Sequence, residues 1–408
     1  MKKLFYNISI VILSSLIIRI FFFFNFSDLV LDNEWGILFH NLNTTGTLGL
    51  NVVINDLVAA KHAEAGDTVL PSAFMPPLYV FYIYVINFFF SESINLVNLV
   101  ILTQIVLACS STFIFFKIIK KFFSYKNSIL LSYLFSFYPL NVLASLQISS
   151  ITLQLFLFLI FIFYFIVLVE TKSYKNAFLL GVFSGLMMLT RGEFGIFFIL
   201  SNLYLFFILK INYRKILICM LFSLLVVTPY LVRNYSNFDS IFLVKSLGYN
   251  LLKGNNPKAK AEGHHAIFES INSDLKINNN YEINLDDIYK SEAINIIKSE
   301  PFKYIKLYFL KMFAFIFIDL NSTYPNYYNI FHLVPKVALS VLSLFGGLLL
   351  LRKKGVLQHF TLFYFLSACF FSLFFILPRY SLMFLPIQIL LGFYAFIYLK
   401  EFFKKKKI

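Results

Sequence analysis

The chain has 408 residues, of which 59% are hydrophobic and 20% aromatic but only 13% charged, and its mean hydropathy is +0.78. This composition excludes a soluble globular domain, because repeated long apolar runs are typical of proteins that cross a membrane several times. The formal net charge of +15 does not indicate a nucleic-acid partner, since Lys and Arg are concentrated in short segments between the apolar runs. We therefore predict an all-α polytopic membrane protein.

Apolar runs follow one another along the whole chain, and a run of about 20 residues can cross a bilayer. The candidate spans, in chain order, are Leu4–Phe26, Ile94–Phe116, Ser128–Leu146, Ile151–Val169, Ala177–Leu189, Phe194–Leu209, Ile216–Val232, Leu333–Leu351, Phe360–Leu377 and Leu382–Leu399.

Two further apolar runs are ambiguous. Leu78–Phe90 is short for a span, and Tyr304–Leu320 contains Lys306 and Lys311. If neither run crosses the membrane, the main basic segments all fall on one side, which is the arrangement that the positive-inside rule favours. We therefore predict about ten transmembrane helices with both termini in the cytoplasm. The two ambiguous runs become interfacial or re-entrant helices on the outer face.

This topology gives one membrane domain over residues 1–408 with two long segments on the outer face. Residues 27–77 form the first extracytoplasmic loop, and residues 233–332 form a large loop that contains the interfacial helix 304–320. The stretch Arg233–Lys303 is polar and rich in Asn and Lys. Because it has too few apolar residues for an independent core, we do not assign it as a separate domain.

An acidic pair, Asp32 and Glu34 in LDNEWG, follows the first span directly. These carboxylates are expected close to the level of the lipid headgroups, and a long ordered loop between spans is often functional. The alternative is a pair of solvated interfacial acids, which is the commoner meaning of an isolated acidic pair.

Three arginines lie at outer ends of spans: Arg191, Arg233 and Arg379. Guanidinium groups match the geometry of phosphate oxygens, so arginines between spans would suit a lipid phosphate. The alternative is that each side chain extends to the outer headgroups. Glu193 is predicted to form an ion pair with Arg191. Arg19 lies inside the first span, where a cation is costly unless it has a partner.

The sequence does not indicate a bound metal. Cys109, Cys219 and Cys369 lie inside apolar runs, where free cysteines usually act as small core residues. Asp32 and Glu34 could share a divalent cation, but we predict no metal and no other cofactor.

Five motifs, in order, resemble those of the integral-membrane GT-C glycosyltransferases, in particular family 39, which includes protein O-mannosyltransferases and lipid A aminoarabinose transferases. The first motif resembles the family's acidic first loop, the second its Pro-Pro-x-Tyr segment, and the others its three arginine motifs. Together they cover most of the chain in the expected order: LDNEWGILFHNLNTTGTLG, SAFMPPLYVFY, GVFSGLMMLTRGEFG, VTPYLVRNYSNFDSIFLVKSLGYNLLKGNNPKA and LPRYSLMFLP.

The resemblance implies a GT-C-type helix bundle and an inverting transfer of a monosaccharide from a polyprenyl-phosphate donor to a hydroxyl acceptor on a lipid, glycan or protein. It assigns the first-loop acids Asp32 and Glu34 to catalysis, with Asp32 as the general base. It assigns Arg191, Arg379 and Arg233 to the donor phosphate. The implied location is a bacterial inner membrane, with the active site on the extracytoplasmic face.

The resemblance implies supporting roles for Tyr79 and Tyr380, and the cost of a cation inside the first span adds Arg19 as a supporting candidate. The chain departs from the family in two places. Met75 stands where relatives often have a basic residue before the Pro-Pro pair. Where relatives often have an acid at the outer end of the fourth span, this chain offers only Gln147, Ser149, Thr152 and Gln154. The first departure removes one phosphate contact, and the second bears on acceptor choice or activity.

Two other classes of function remain open from the sequence. An O-antigen ligase or polymerase would share arginine-rich outer loops but would use a diphosphate-linked glycan. A lipid-sugar flippase or transporter would need charged residues along a central passage, whereas the charged candidates here gather at one face. The sequence does not identify the sugar, the acceptor, metal dependence or the oligomeric state.

Overall fold

A computed structural model of the protein describes residues 7–51, 69–90, 95–264, 268, 275–324 and 327–405. Residues 52–68 of the predicted first loop and the first residues of two predicted spans therefore lie outside the described part. The helices are α1 (Ile8–Phe26), α2 (Glu34–Thr45), α3 (Leu78–Phe90), α4 (Leu96–Ile119), α5 (Tyr125–Ser136), α6 (Pro139–Ala144), α7 (Ile151–Thr171), α8 (Tyr174–Met188), α9 (Phe194–Phe207), α10 (Tyr213–Phe238), α11 (Leu247–Gly254), α12 (Tyr281–Ser299), α13 (Pro301–Ile316), α14 (Ile330–Leu350), α15 (Val356–Phe371), a 3₁₀ helix (Pro378–Phe384) and α16 (Leu385–Lys405).

The prediction of an all-α polytopic membrane protein is confirmed. Within the described residues, six helical segments are long and apolar enough to cross a membrane: α1, α4, α7, α10, α14 and the segment Pro378–Lys405. The other four predicted spans are shorter helices. These are α8, α9, α15 and the pair α5–α6. Pro139 divides this pair because it begins a new helix and disfavours a helical conformation at Tyr138, whose ψ is 120°.

The two ambiguous runs form helices that are too short to span by length. Helix α3 has the predicted bounds Leu78–Phe90. Helix α13 begins earlier than the predicted run, at Pro301, and ends at Ile316. One of its two lysines, Lys306, is exposed, whereas Lys311 is fully buried and is hydrogen-bonded, as described below.

The stretch Arg233–Lys303, treated above as a polar loop, contains α11 and α12. These two helices bury a small apolar cluster against the first loop, around Tyr249, Leu285 and Tyr289. The sequence did not show this because the apolar residues are few and belong to two helices that share one small cluster.

A short antiparallel hairpin closes the described ends of the first loop. Strand β1 (Gly49–Asn51) pairs with β2 (Val69–Pro71), with Leu50 opposite Leu70. The chain leaves β2 through Ser72 and enters α3 at Leu78, whose backbone N–H donates to the carbonyl of Leu189 (2.9 Å). The first loop is thereby fixed to the turn after α8.

Candidate active site

A cavity of about 710 Å³ lies where the predicted outer segments meet. Its walls come from the first loop, the start of α7, the turn between α8 and α9, helices α11 and α12, and the turn before the 3₁₀ helix. The predicted residues that line it are Asp32, Glu34, Arg191, Arg379 and Tyr380. Residues that are far apart in the sequence therefore share one polar cavity at one end of the bundle.

The acidic segment of the first loop is held on both sides of Asp32. The Asp28 carboxylate accepts a hydrogen bond from the backbone N–H of Ile148 (2.7 Å), and the Asn33 side chain donates to the carbonyl of Ile148 (2.9 Å). Asn33 also caps α2 by accepting from the N–H of Gly36 (3.2 Å).

The carboxylates of Asp32 and Glu34 are both exposed and line the cavity. Within the described part of the chain, neither forms an ion pair or a side-chain hydrogen bond. The backbone of this segment is thus anchored while both carboxylates remain available to a bound molecule.

Arg191 lies in the turn between α8 and α9. Its Nε atom is 2.6 Å from Oε1 of Glu193, so the predicted ion pair is confirmed. Its guanidinium carbon lies 4.7 Å from the ring centroid of Phe371 and 5.2 Å from that of Tyr380. These contacts fix the plane of the guanidinium group. The two terminal nitrogens of Arg191 form no hydrogen bond with any described residue.

Arg379 and Tyr380 open the 3₁₀ helix that leads into α16. Arg379 is exposed and lines the cavity. Unlike Arg191, it has no ion pair or hydrogen bond with any residue that the structure describes. Tyr380 packs against Phe371 and Phe375 at ring-centroid distances of 6.3 and 5.6 Å and contributes to the face against which Arg191 lies.

Arg233 does not line the cavity. Its Nη1 donates to the carbonyl of Ser72 (2.8 Å) and to Oδ1 of Asn234 (2.8 Å), and its Nη2 donates to the carbonyl of Leu48 (2.5 Å). Both terminal nitrogens thus fasten the end of α10 to the β1–β2 hairpin. In the structure, Arg233 therefore positions the hairpin. To make its predicted contact with phosphate, Arg233 would have to break these hydrogen bonds.

Tyr79 and Arg19 also lie outside the cavity. The Tyr79 hydroxyl donates to Gln104 (2.9 Å), and its ring packs edge-on against Trp35 (5.2 Å), which lines the cavity. Arg19 is buried in α1 and donates through Nη1 to Ser15. Its Nε and Nη2 atoms find no partner among the described residues. Tyr79 can support the cavity wall, whereas Arg19 has no contact with it.

The two positions at which the chain departs from the family, Met75 and Gln154, both line the cavity. Gln154 donates to the Ser150 hydroxyl (2.6 Å) and to the carbonyl of Thr190 (3.4 Å). The neighbouring Ser149 hydroxyl is buried and has no hydrogen-bond partner in the described chain. This wall is polar and uncharged, which suits hydroxyl groups of a bound molecule.

Sequence reasoning missed four charged residues that line the cavity: Lys245, Lys253, Glu282 and Asp286. Lys253 belongs to a quoted motif, GYNLLKGNNPKA, and could have been found there as the basic residue before its glycine. Lys245 lies in the same quoted motif, in FLVKSLGYN, whereas Glu282 and Asp286 carry no local signal because their place depends on how α12 packs against the first loop.

Burial changes the pKa values of two of these groups. It lowers the pKa of Lys253 to about 8, helped by the positive charge of Arg379 and opposed by Glu34. It raises the pKa of Glu282 to about 7 despite hydrogen bonds from Ser72 and Ala73. Among the described residues, no group of three or more His, Cys, Asp or Glu side chains could hold a metal ion.

No protein-family model matches the sequence, and no curated protein matches it. The fold is similar to the solved structure of the oligosaccharyltransferase AglB from Archaeoglobus fulgidus in complex with an inhibitory peptide and a dolichol-phosphate, with a TM-score of 0.53, 11% identity, and coverage of 94% of this chain and 50% of that one. The oligosaccharyltransferase of the same organism, tethered to an acceptor peptide that contains the NVT sequon, gives a TM-score of 0.52 at 13% identity and coverage of 94% and 49%.

This chain spans about half the length of these oligosaccharyltransferases. At such low identity, the likeness shows a shared fold. It does not single out the family that the sequence motifs resemble.

Proposed function

We propose that this protein is a membrane glycosyltransferase that transfers a monosaccharide from a polyprenyl-phosphate donor to a hydroxyl group of a lipid, glycan or protein. The observation that carries the proposal is the shared cavity, where free carboxylates of the first loop face a set of cations. The fold likeness to an oligosaccharyltransferase supports glycosyl transfer rather than translocation. The proposed site of action is the extracytoplasmic face of a bacterial inner membrane.

In the proposed reaction Asp32 is the general base. Its carboxylate takes the proton of the acceptor hydroxyl while the hydroxyl oxygen forms a bond to the anomeric carbon of the donor sugar. The bond between that carbon and the phosphate oxygen breaks, and its electron pair stays on the phosphate. Attack on the face opposite the leaving phosphate inverts the anomeric centre. A positioned base of this kind contributes about 10²- to 10⁴-fold in rate.

Arg191 and Arg379 are proposed to stabilise the charge that develops on the departing phosphate. Guanidinium groups suit this role because they present several donors in a fixed plane to phosphate oxygens. Glu34, two residues beyond Asp32, is proposed to orient the acceptor or the donor sugar through its free carboxylate. No step in this scheme requires a metal ion or another cofactor.

The test uses purified protein in nanodiscs with a panel of radiolabelled polyprenyl-phosphate sugars, followed by measurement of lipid-phosphate release and of transfer to a crude envelope extract. We expect release from at least one donor in the wild type and a loss of at least about 100-fold in Asp32→Asn, in line with removal of a general base. The matched control is Asp239→Asn. Asp239 is exposed and has a φ of 54°, a conformation that Asn tolerates.

Wild-type turnover in Asp32→Asn would remove the general base from the mechanism. Release from diphosphate-linked donors alone would instead favour an enzyme of the O-antigen ligase class. The absence of turnover with every donor, in protein that keeps its thermal unfolding transition, would contradict the proposed activity.

A further inference from the structure

The cavity holds two cations that form no ion pair with any described residue. Lys245 and Arg191 each have a carboxylate partner, since Nζ of Lys245 is 2.6 Å from Asp287 and Arg191 pairs with Glu193. Lys253 and Arg379 have no such partner within the described ranges. The positive charge of Arg379 acts on Lys253 and is only partly opposed by Glu34, so an anion bound by both cations would relieve their repulsion.

The packing around Lys253 brings its helix close to the segment that carries Arg379. Lys253 is followed by Gly254, and a Cβ at Gly254 would lie 2.4 Å from the carbonyl carbon of Phe374 and 2.4 Å from the nitrogen of Phe375. Only glycine allows the end of α11 to approach this segment so closely. Phe375 is four residues before Arg379 in the chain, so this contact brings the backbone beside Lys253 close to the segment that leads to Arg379.

A buried lysine locks the same junction. The Nζ atom of Lys311, in α13, donates to the Asn255 side chain (3.0 Å) and to the carbonyls of Gly254 (3.2 Å) and Leu373 (3.4 Å). Asn255 also donates to the carbonyl of Leu373 (3.0 Å). These bonds join α11, α13 and the segment after α15. They hold the backbone next to Lys253 and the backbone that leads to Arg379.

The ammonium of Lys253 is oriented by aromatic rings rather than by an acid. Its Nζ lies 4.5 Å from the ring centroid of Phe375 and 5.7 Å from that of Tyr249. Cation–π contacts stabilise an ammonium without neutralising its charge, so the group stays available to an anion in the cavity. Its lowered pKa of about 8 still leaves it mostly protonated near neutral pH.

We propose that Lys253 and Arg379 together form the subsite that binds the phosphate of the lipid donor. This inference rests on the proposed function, and it adds Lys253 to the arginines proposed to bind the phosphate. Arg191 then contributes from the α8–α9 turn, while Arg233 keeps its hydrogen bonds to the hairpin.

The charges of the two cations favour the product over the donor. A sugar phosphodiester carries one negative charge, whereas the lipid phosphate that leaves carries about 1.5 to 2 at neutral pH. A pair of cations therefore binds the departing phosphate more strongly than the intact donor. An interaction that becomes stronger as the phosphate departs raises the rate of transfer as well as the affinity for the phosphate. Lys253 should thus affect turnover in addition to binding.

The test measures binding of farnesyl phosphate, with farnesol as the uncharged reference, to full-length protein in nanodiscs. Lys253→Met should weaken farnesyl phosphate binding by about 10- to 100-fold, the range expected for loss of a charge-assisted hydrogen bond, and should leave farnesol binding unchanged. Lys258→Met is the matched control, because Lys258 is exposed in the same segment and outside the cavity lining.

A second-site variant separates lost charge from altered packing. Met75 lines the same cavity, so Met75→Lys in the Lys253→Met background returns an ammonium and should restore part of the phosphate affinity. If Lys253→Met does not fold, Lys253→Arg must keep farnesyl phosphate binding and Lys253→Gln must lose it.

Equal affinity of wild type and Lys253→Met for farnesyl phosphate would overturn the subsite, whatever the transfer assay gives. A wild type that prefers farnesyl phosphate no more than farnesol would overturn it as well. By contrast, binding that depends on Lys253 together with no turnover from any sugar donor would retain the phosphate subsite and reject the glycosyltransferase.

Discussion

Glu282 is a buried carboxylate that ties α12 to the first loop. Its carboxylate accepts hydrogen bonds from the hydroxyl of Ser72 (2.5 Å) and the N–H of Ala73 (2.8 Å). Glu282 and Phe74, the residue after Ala73, both line the cavity. Burial raises the pKa of Glu282 from 4.5 to about 7, with Arg233 opposing the shift and Asp286 adding to it. The protonated form is therefore favoured in the folded state.

The sign of the pH effect follows from this raised pKa. Glu282 adds stability that is fully present below about pH 4.5 and is lost as the pH rises through about 7. The effect is on the order of 3 kcal/mol, since one pKa unit corresponds to ~1.4 kcal/mol. We expect the unfolding midpoint of wild type, relative to Glu282→Gln, to fall across this window when measured by thermal unfolding in detergent. Parallel curves for the two proteins would contradict the raised pKa.

The residues of the cavity divide into those that local sequence reveals and those that it does not. Asp32, Arg191 and Arg379 were predictable because each is a charge beside a long apolar run, and such placement is unusual on the outer face. Lys253 and Glu282 were not singled out, because their neighbours in the cavity come from distant parts of the chain. The hydrogen bonds of Arg233 to the carbonyls of Leu48 and Ser72 were not predictable either, because these residues are far from Arg233 in the chain.

At the level of elements, α8 and α10 pack through small residues. A Cβ at Gly181 would lie 2.4 Å from the carbonyl oxygen of Cys219, and one at Gly185 would lie 2.7 Å from that of Ser223. The spacing Gly-x-x-x-Gly lets two helices approach closely within a membrane, where association depends on packing rather than on the hydrophobic effect. Helix α8 leads to the turn that carries Arg191, so the packing of α8 against α10 bears on the position of this arginine.

We expect Gly181→Ala to destabilise the protein by about 1–3 kcal/mol, because the added methyl group has no room against the backbone of α10. Gly195→Ala is the control, since a Cβ there meets nothing within 4 Å. Alanine is also the better helix former by up to ~1 kcal/mol, so the control should be neutral or stabilising. Thermal unfolding in detergent measures both variants. A Gly181→Ala protein as stable as the control would show that the two helices can separate at little cost.

The bounds of the elements were predictable to different degrees. Helix α3 has the predicted bounds because an apolar run between a Pro-Pro pair and a polar segment defines both of its ends. The division into α5 and α6 was missed because Pro139 interrupts a run that is apolar on both sides. Helices α11 and α12 were missed because their buried faces are formed against each other and the first loop. Helix α11 has only 8 residues, and the apolar ones among the 19 residues of α12 are interspersed with polar and charged ones, so neither forms a long apolar run.

For the whole molecule, the cavity fixes which segments share one end of the bundle. The first loop, the start of α7, the α8–α9 turn, α11 and the segment before the 3₁₀ helix all line it. Successive spans run in alternate directions, so the connections after α7 and after α14 lie at the opposite end. Those connections carry Lys172, Lys175 and the basic run Arg352–Lys354. The cavity and these basic connections thus lie at opposite ends of the bundle, as the predicted orientation requires.

This orientation predicts that residues in the α11–α12 connection and in the α14–α15 connection face opposite sides of the membrane. Single cysteines at the exposed positions Lys258 and Lys354, in a background with Cys109, Cys219 and Cys369 replaced by alanine, can be labelled in intact cells with a maleimide that does not cross membranes. We expect Lys258→Cys to react and Lys354→Cys to react only after the cells are opened, because the basic connection stays in the cytoplasm. Reaction of both sites in intact cells, or of neither, would mean that an odd number of the short helices changes its assignment. The cavity would then require another route for its lipid donor.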